Sequence, residues 1–244
     1  MSVQVLRDRS TLVVGGSGGI GAAVSLALAD RGAKLRIHGG HDREALDSIV
    51  EQCADASGRR PEGILAPIGS TADVRQLVGD ELPEVLVVAF GPIIWRGLAE
   101  HDADDWDAMA TLNLAIPGAL ISACLPRMRE RGFGRIVLFG ASRGDTSPAS
   151  IEAPAYTAAK AGLVSLVRST GRYGVRHNIA CNLVCPGYVH TKYLADEQRE
   201  RFLRRSRSGH LTESADVAHT VLWLCGQERP VVTGAVINAG EGLI

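Results

Sequence analysis

Several things are scarce in this 244-residue chain, and each shortage excludes something. An excess of one charge sign is missing. With 26 lysines and arginines against 27 acidic residues the net charge is −1, which removes the broad basic face that nucleic acid or an anionic membrane surface would call for. No apolar run reads as long enough to cross a bilayer, and the start, Met1-Ser2-Val3-Gln4, has no charged segment followed by a long apolar stretch. A cytoplasmic protein with small-molecule chemistry is expected. The five cysteines (Cys53, Cys124, Cys181, Cys185, Cys225) are odd in number, scattered and without CxxC pairing, so neither a disulfide framework nor a metal site is indicated. No Pro/Gly/Ser linker or low-complexity run divides the chain, and residues 1–244 are read as a single domain. At 45% hydrophobic and 22% charged residues, that domain can bury a large core.

Lysine is also rare, limited to Lys34, Lys160 and Lys192, and only four tyrosines occur. One of each stands in Tyr156-Thr157-Ala158-Ala159-Lys160. If the run is helical, a spacing of four stacks both side chains on one face. An ammonium beside a phenol favours the phenolate, so the lysine is expected to bring the tyrosine down from about pH 10 toward working pH. An ordinary exposed helix would carry such a pair without consequence, and its meaning depends on what lies upstream.

Upstream, Thr11-Leu12-Val13-Val14 reads as a buried strand, followed by Gly15-Gly16-Ser17-Gly18-Gly19-Ile20-Gly21 and an apolar helical stretch from Ala22 to Ala29. Strand, glycine turn and helix together are the context in which glycines let the backbone approach a pyrophosphate at a helix N-terminus. The alternation continues. Strands are expected at Lys34 to His38, Gly63 to Ala66, Val85 to Phe90, Arg135 to Phe139, Ile179 to Val184 and Ala235 to Asn238. Helices are expected at Arg43 to Ala56, Thr71 to Val78, Trp106 to Met128 with a kink at Pro117, Ala155 to Tyr173, and Glu213 to Cys225. This is an α/β pattern: one doubly wound parallel sheet of about seven strands, of Rossmann type, with helices on both faces. Gly15, Gly91, Gly140 and Pro186 then gather at the carboxyl ends of the strands, where ligands bind in such sheets.

With these pieces in order, the chain resembles the compact type of short-chain dehydrogenase/reductase from Leu12 to about Gly240. The family's glycine pattern matches Gly15, Gly19, Ile20 and Gly21, its helical asparagine matches Asn113, and its strand-end motif matches Asn182, Pro186, Gly187 and Thr191. The resemblance implies an NAD(P)-dependent oxidoreductase interconverting a carbonyl and a secondary alcohol, of the 3-oxoacyl-thioester reductase kind. Tyr156 would handle the proton, Lys160 would bind the nicotinamide ribose, and Asn113 would hold a relay water. Ser17, Gly18, Gly39, Gly91 and Val189 join the expected cofactor bed. NAD-dependent oxidation of a sugar or secondary alcohol is one alternative, and a nucleotide-binding relative that has lost catalysis is another.

The pattern breaks in places. The family's catalytic serine position falls on Ala141, with Ser142 next door as the expected replacement. The threonine before the first glycine is Val14, the asparagine run after the fourth strand is Val88-Ala89-Phe90-Gly91, and Pro67-Ile68 stand where a carboxylate often reads adenine. After the second strand no acid occupies the first loop position, and His41 and Arg43 could meet a 2′-phosphate, so NADP is favoured over NAD. Trp95, Arg143, Ile151, Tyr188 and Tyr193 are candidate substrate walls. The run Arg199, Arg201, Arg204, Arg205, Arg207 lies where the family has a lid, and fits an anionic or carrier-bound substrate as well as a solvated face. A homo-oligomer, dimer or tetramer, is expected from the resemblance, with Gly240 to Ile244 at an interface.

Overall fold

The expected strands and helices form, with shifts of one or two residues at most ends. In chain order they are β1 (Ser10–Val14), α1 (Gly19–Asp30), β2 (Lys34–Gly39), α2 (Arg43–Ser57), β3 (Glu62–Leu65), α3 (Val74–Val78), β4 (Val85–Val88), α4 (Ala103–Ala110) and α5 (Ile116–Arg131). The second half holds β5 (Gly134–Phe139), α6 (Pro154–Gly174), β6 (Ile179–Pro186), β7 (Val189–His190), α7 (Asp196–Arg205), β8 (Thr212–Glu213), α8 (Ser214–Cys225) and β9 (Val236–Ala239). The computed structural model describes residues 5–147, 149–191 and 196–240.

Seven strands pair in the order β3-β2-β1-β4-β5-β6-β9, all parallel. β1, β4 and β5 are buried along their whole length, consistent with the apolar stretches at residues 12–14, 85–88 and 136–139. Side chains alternate between two cores. Val13, Ile37, Val87 and Val137 face α1, α2 and α8, whereas Leu12, Val14, Leu86 and Leu138 face α3, α5 and α6. Fully burying a leucine or valine of this kind stabilises the fold by roughly 1.5–3 kcal/mol. All five cysteines are buried free thiols.

At the amino ends of the strands Arg135, only 1% exposed, acts as a staple. Its guanidinium donates to the carbonyls of Gly134, Asn178, Gln227 and Glu228 and to Asn178 Oδ1, at 2.5 to 3.2 Å. Its flat face lies 4.1 Å from the Phe133 ring centroid, and Arg9 lies 4.0 Å from the same centroid.

Three features differ from the sequence reading. The helix expected from Thr71 opens as a 3₁₀ turn, Thr71–Asp73, before α3. β4 ends at Val88 because the chain must turn at Gly91, whose φ is +154°. The long helix is broken by a π-helical turn, Thr111–Ala115, rather than bent at Pro117 alone. The reason is local: in an α-helix the Asn113 carbonyl would accept from residue 117, and proline has no N–H to give. Helix continues through that turn, so Ala103–Arg131 becomes one run long and apolar enough to cross a membrane by length and composition. Its Ile116, Leu120, Ile121, Cys124 and Met128 are instead buried in the second core.

Candidate active site

The glycine turn after β1 has no room for side chains at Gly15, Gly16 and Gly21. Gly15 sits at φ +74°, and a β-carbon there would lie 2.9 Å from the Ala89 carbonyl oxygen; one at Gly21 would lie 2.0 Å from the Gly15 oxygen. The turn is braced by Ser25 Oγ, which donates to the Gly16 carbonyl at 3.1 Å. Gly18 caps α1 without a side chain, so no side-chain oxygen takes up the first amides of the helix. Free amides and the positive helix end suit a phosphate. Gly19 lies under Thr191, whose Cγ2 would be 3.4 Å from an added β-carbon, and Ser17 packs against Gly39.

Across the crevice, α6 begins with Pro154 at its first turn and carries Tyr156 and Lys160 one turn apart. Lys160 is buried, points back under the tyrosine with Nζ 5.6 Å from the ring centroid, and donates to the Phe139 carbonyl at 2.8 Å. The electrostatics depart from expectation. Burial pushes the Tyr156 phenol up to about 12 and the Lys160 ammonium down to about 8. Desolvation is the largest cause at both groups, and the neighbouring Cys185 adds a smaller upward push on each. The tyrosine therefore keeps its proton at neutral pH, and the lysine titrates near working pH. A protonated phenol above a readily deprotonated amine can donate a proton and be resupplied.

Asn113, on the π turn, donates from Nδ2 to the Pro92 carbonyl at 3.0 Å, while its buried Oδ1 has no partner among the described residues. A β-carbon on Gly91 would lie 2.5 Å from that oxygen and 2.8 Å from Lys160 Nζ, so amide and amine converge on one point that only glycine leaves open. Ser142 lies in the turn after β5. Both ends of that turn, Gly140 and Gly144, rest on Cys185, where added β-carbons would each come within 2.6 Å of the sulfur.

Tyr156, Lys160, Ser142, Ala141, Gly91, Ile20, Pro186, Gly187, Val189 and Thr191 all line one cavity of about 800 Å³. Trp95, Arg143 and Tyr188 line it too, as the sequence suggested. Ile151 does not: it is 84% exposed, while its neighbours Ser150 and Glu152 face the cavity. The chain alternates there in a loop, and Ile151 takes the outward position. Tyr193 lies outside the described residues, as do residues 241–244 of the expected interface. His41 and Arg43 are exposed beyond β2, with Arg43 3.9 Å from Asp47. Asn182, of the strand-end motif, is a clamp, its side chain donating to the Val232 carbonyl and accepting from the Ala235 amide.

Sequence reasoning missed two features. Phe202 on α7 stacks on Tyr188 at 4.3 Å, and Arg201 pairs with Glu152 and lies 5.9 Å from the Trp95 ring centroid, so α7 closes the cavity. Arg205 lines it as well. The other feature is His38, fully buried beside the glycine turn. A larger cleft of about 1110 Å³ at the amino ends of the strands holds Arg9 and Glu84, which neutralise each other at 2.6 Å.

Comparison with known proteins agrees with this geometry. A family model described as enoyl-(acyl carrier protein) reductase matches residues 15–243. The chain is 31% identical to the (2S)-[(R)-hydroxy(phenyl)methyl]succinyl-CoA dehydrogenase subunit BbsD of Thauera aromatica, over 97% of each chain. It is 28% identical to the 3-oxoacyl-[acyl-carrier-protein] reductase FabG of Salmonella typhimurium, over 95% of this chain and 96% of that one. Among solved structures, a 3-oxoacyl (acyl-carrier-protein) reductase of Agrobacterium tumefaciens with NADP bound superposes with a TM-score of 0.88 at 25% identity, covering 99% of this chain and 97% of that one.

Proposed function

Because the chain belongs to the short-chain dehydrogenase/reductase family of NAD(P)-dependent oxidoreductases, we propose that it reduces the ketone of a 3-oxoacyl thioester or a closely related carbonyl, with NADPH as donor. Bound NADPH supplies the hydride. The chain's part is to hold that cofactor and move the proton. The glycine turn and the start of α1 would take its pyrophosphate, Gly187, Val189 and Thr191 its nicotinamide half, and Lys160 its ribose hydroxyls. His41 and Arg43, with no acid after β2, favour a 2′-phosphate over a hydroxyl. Tyr156 gives its proton to the substrate oxygen, Ser142 donates a second hydrogen bond to it, and Lys160 resupplies the tyrosine through a water held at Asn113 Oδ1.

The observation that carries this reading is Tyr156 and the Lys160 amine, of pKa about 8, together on the cavity wall, with the unpartnered buried Oδ1 of Asn113 meeting that amine behind the wall at Gly91. α7 supports the finer substrate reading, since Arg205 borders the same cavity and would draw an anionic or carrier-bound acyl group, while Arg201 is held by Glu152. The chain acts in the cytoplasm as a homo-oligomer; exposed Trp106 on α4, Tyr173 on α6 and Trp223 on α8 are surfaces for such contacts. A panel of 3-oxoacyl thioesters, simple ketones and sugar alcohols, assayed with NADPH and NADH by nicotinamide absorbance, tests the proposal. Thioester reduction with NADPH preferred is the expected result. NADH preferred on a sugar or secondary alcohol overturns it, and NADPH binding without turnover on any substrate would mark a relative that has lost catalysis.

A further inference from the structure

His38 stands at the end of β2 with 1% of its surface exposed, between two backbone groups far away in sequence. Nδ1 lies 3.2 Å from the Gly15 amide nitrogen, and Nε2 lies 2.7 Å from the Ala66 carbonyl oxygen. An amide can only donate and a carbonyl can only accept, so the partners fix the tautomer: Nδ1 accepts and Nε2–H donates. The ring thus bridges the glycine turn to the segment after β3, and only the neutral ring can do so. Next to it the His38 carbonyl accepts the Gly16 amide at 2.8 Å, so two successive amides of the turn hang on this one residue. β1 and β4 contribute apolar Val14 and Val88 here, where the family pattern would place a threonine and an asparagine, and His38 is a side chain that bonds the start of the turn.

Protonation would put a hydrogen on Nδ1 facing the Gly15 N–H, donor against donor, and would leave a buried cation. Among the described residues, none nearby offers a counter-charge. Arg36, on the same face of β2, is spent on the carbonyls of Val78 and Glu81. Asp73, before α3, is half-buried and spends its carboxylate on the amides of Gly69 and Ser70, and Arg75 on α3 is exposed and of the wrong sign. Glu62 on β3 and His41 and Asp42 beyond β2 are exposed as well. Burial holds the ring's pKa below its ordinary 6.5 against the Ala66 bond, with no charged side chain contributing.

We infer that His38 is a positioning residue for the glycine turn and makes cofactor binding by this chain acid-sensitive: the neutral ring anchors Gly15, and the protonated ring releases it. This rests on the reading that the turn holds the dinucleotide.

The test is the Kd of NADPH, from its fluorescence, at intervals from pH 8 to pH 5 for the wild type, His38→Asn and His38→Leu, within the range where circular dichroism shows each chain folded. Asparagine keeps an acceptor near the Nδ1 position without titrating; leucine keeps none. The wild type should bind evenly down to about pH 6.5 and then lose affinity, at the steepest about tenfold per pH unit for one proton. His38→Asn should bind like the wild type at pH 8 and lose clearly less on acidification. His38→Leu should bind weakly throughout. Every other group of the chain and of the cofactor is common to all three chains, so the difference between curves isolates His38. Wild-type and His38→Asn curves that superimpose overturn the inference. Absence of NADPH binding by every chain at pH 8 would overturn the cofactor reading beneath it.

Discussion

Replacing Gly91 with alanine probes the site with a single methyl group. The added β-carbon would sit 2.5 Å from Asn113 Oδ1 and 2.8 Å from Lys160 Nζ, whereas ordinary contact begins at 3.4 Å. Relief requires the amide oxygen to retreat by about 0.9 Å and the amine by about 0.6 Å, or the backbone to move, and misplacements near 1 Å typically lower rate about 10²-fold. The backbone adds to the strain, because φ at this position is +154°. Overpacking of this kind costs roughly 1–3 kcal/mol, and for a domain of this size each kcal/mol lowers Tm by about 2–4 °C. The variant should therefore fold, melt within about 12 °C of the wild type, and lose about 10²-fold in kcat at saturating NADPH. Gly69→Ala, where a β-carbon meets nothing within 4 Å, serves as the control and should leave both quantities unchanged. A Gly91→Ala enzyme with kcat within about twofold of wild type would refute the convergence of Asn113 and Lys160 as the working geometry.

Other outcomes follow from the same coordinates. Ser142→Ala should lower turnover at least about tenfold, since losing one oxyanion donor usually costs 10²–10³; unchanged turnover would leave the serine role vacant. Arg135→Met leaves four backbone carbonyls and the Asn178 side chain without their buried donor and should destabilise by roughly 3–5 kcal/mol, read from urea melts. Lys160→Met should abolish turnover and reveal what the buried charge costs. The lysine's folded pKa of about 8 lies below its ordinary value of 10.5, so the unfolded chain binds more protons between those values and wild-type stability rises with pH across that window. Relative to Lys160→Met, the wild type should gain stability between pH 8 and about pH 10, and a constant difference would contradict the assignment.

The sheet was legible because its signals are local: apolar strand runs, glycine turns and α/β alternation survive in any window of the chain. The Tyr156–Lys160 pairing was legible for the same reason, being fixed by helical spacing. The direction of their pKa values was not, because it depends on burial supplied by distant elements. His38 looked like an ordinary strand residue since its partners stand 23 and 28 residues away. The basic run was legible as standing where the family has a lid, but its contact between Arg201 and Glu152 spans 49 residues and was not. Ile151 misled because a loop has no period from which to read its outward face. At Pro117 the cue was read as a bend, although the missing N–H opens the ladder at Asn113 and yields a π turn.

The most direct measurement compares Tyr156→Phe with the wild type in two assays at neutral pH, NADPH affinity by fluorescence and thioester reduction by nicotinamide absorbance. The hydroxyl removed is the proton donor and no part of the glycine turn, so affinity should stay within a few-fold while turnover falls by at least about 10²-fold. Turnover that persists within about tenfold of wild type would contradict the assignment of the phenol as the acid.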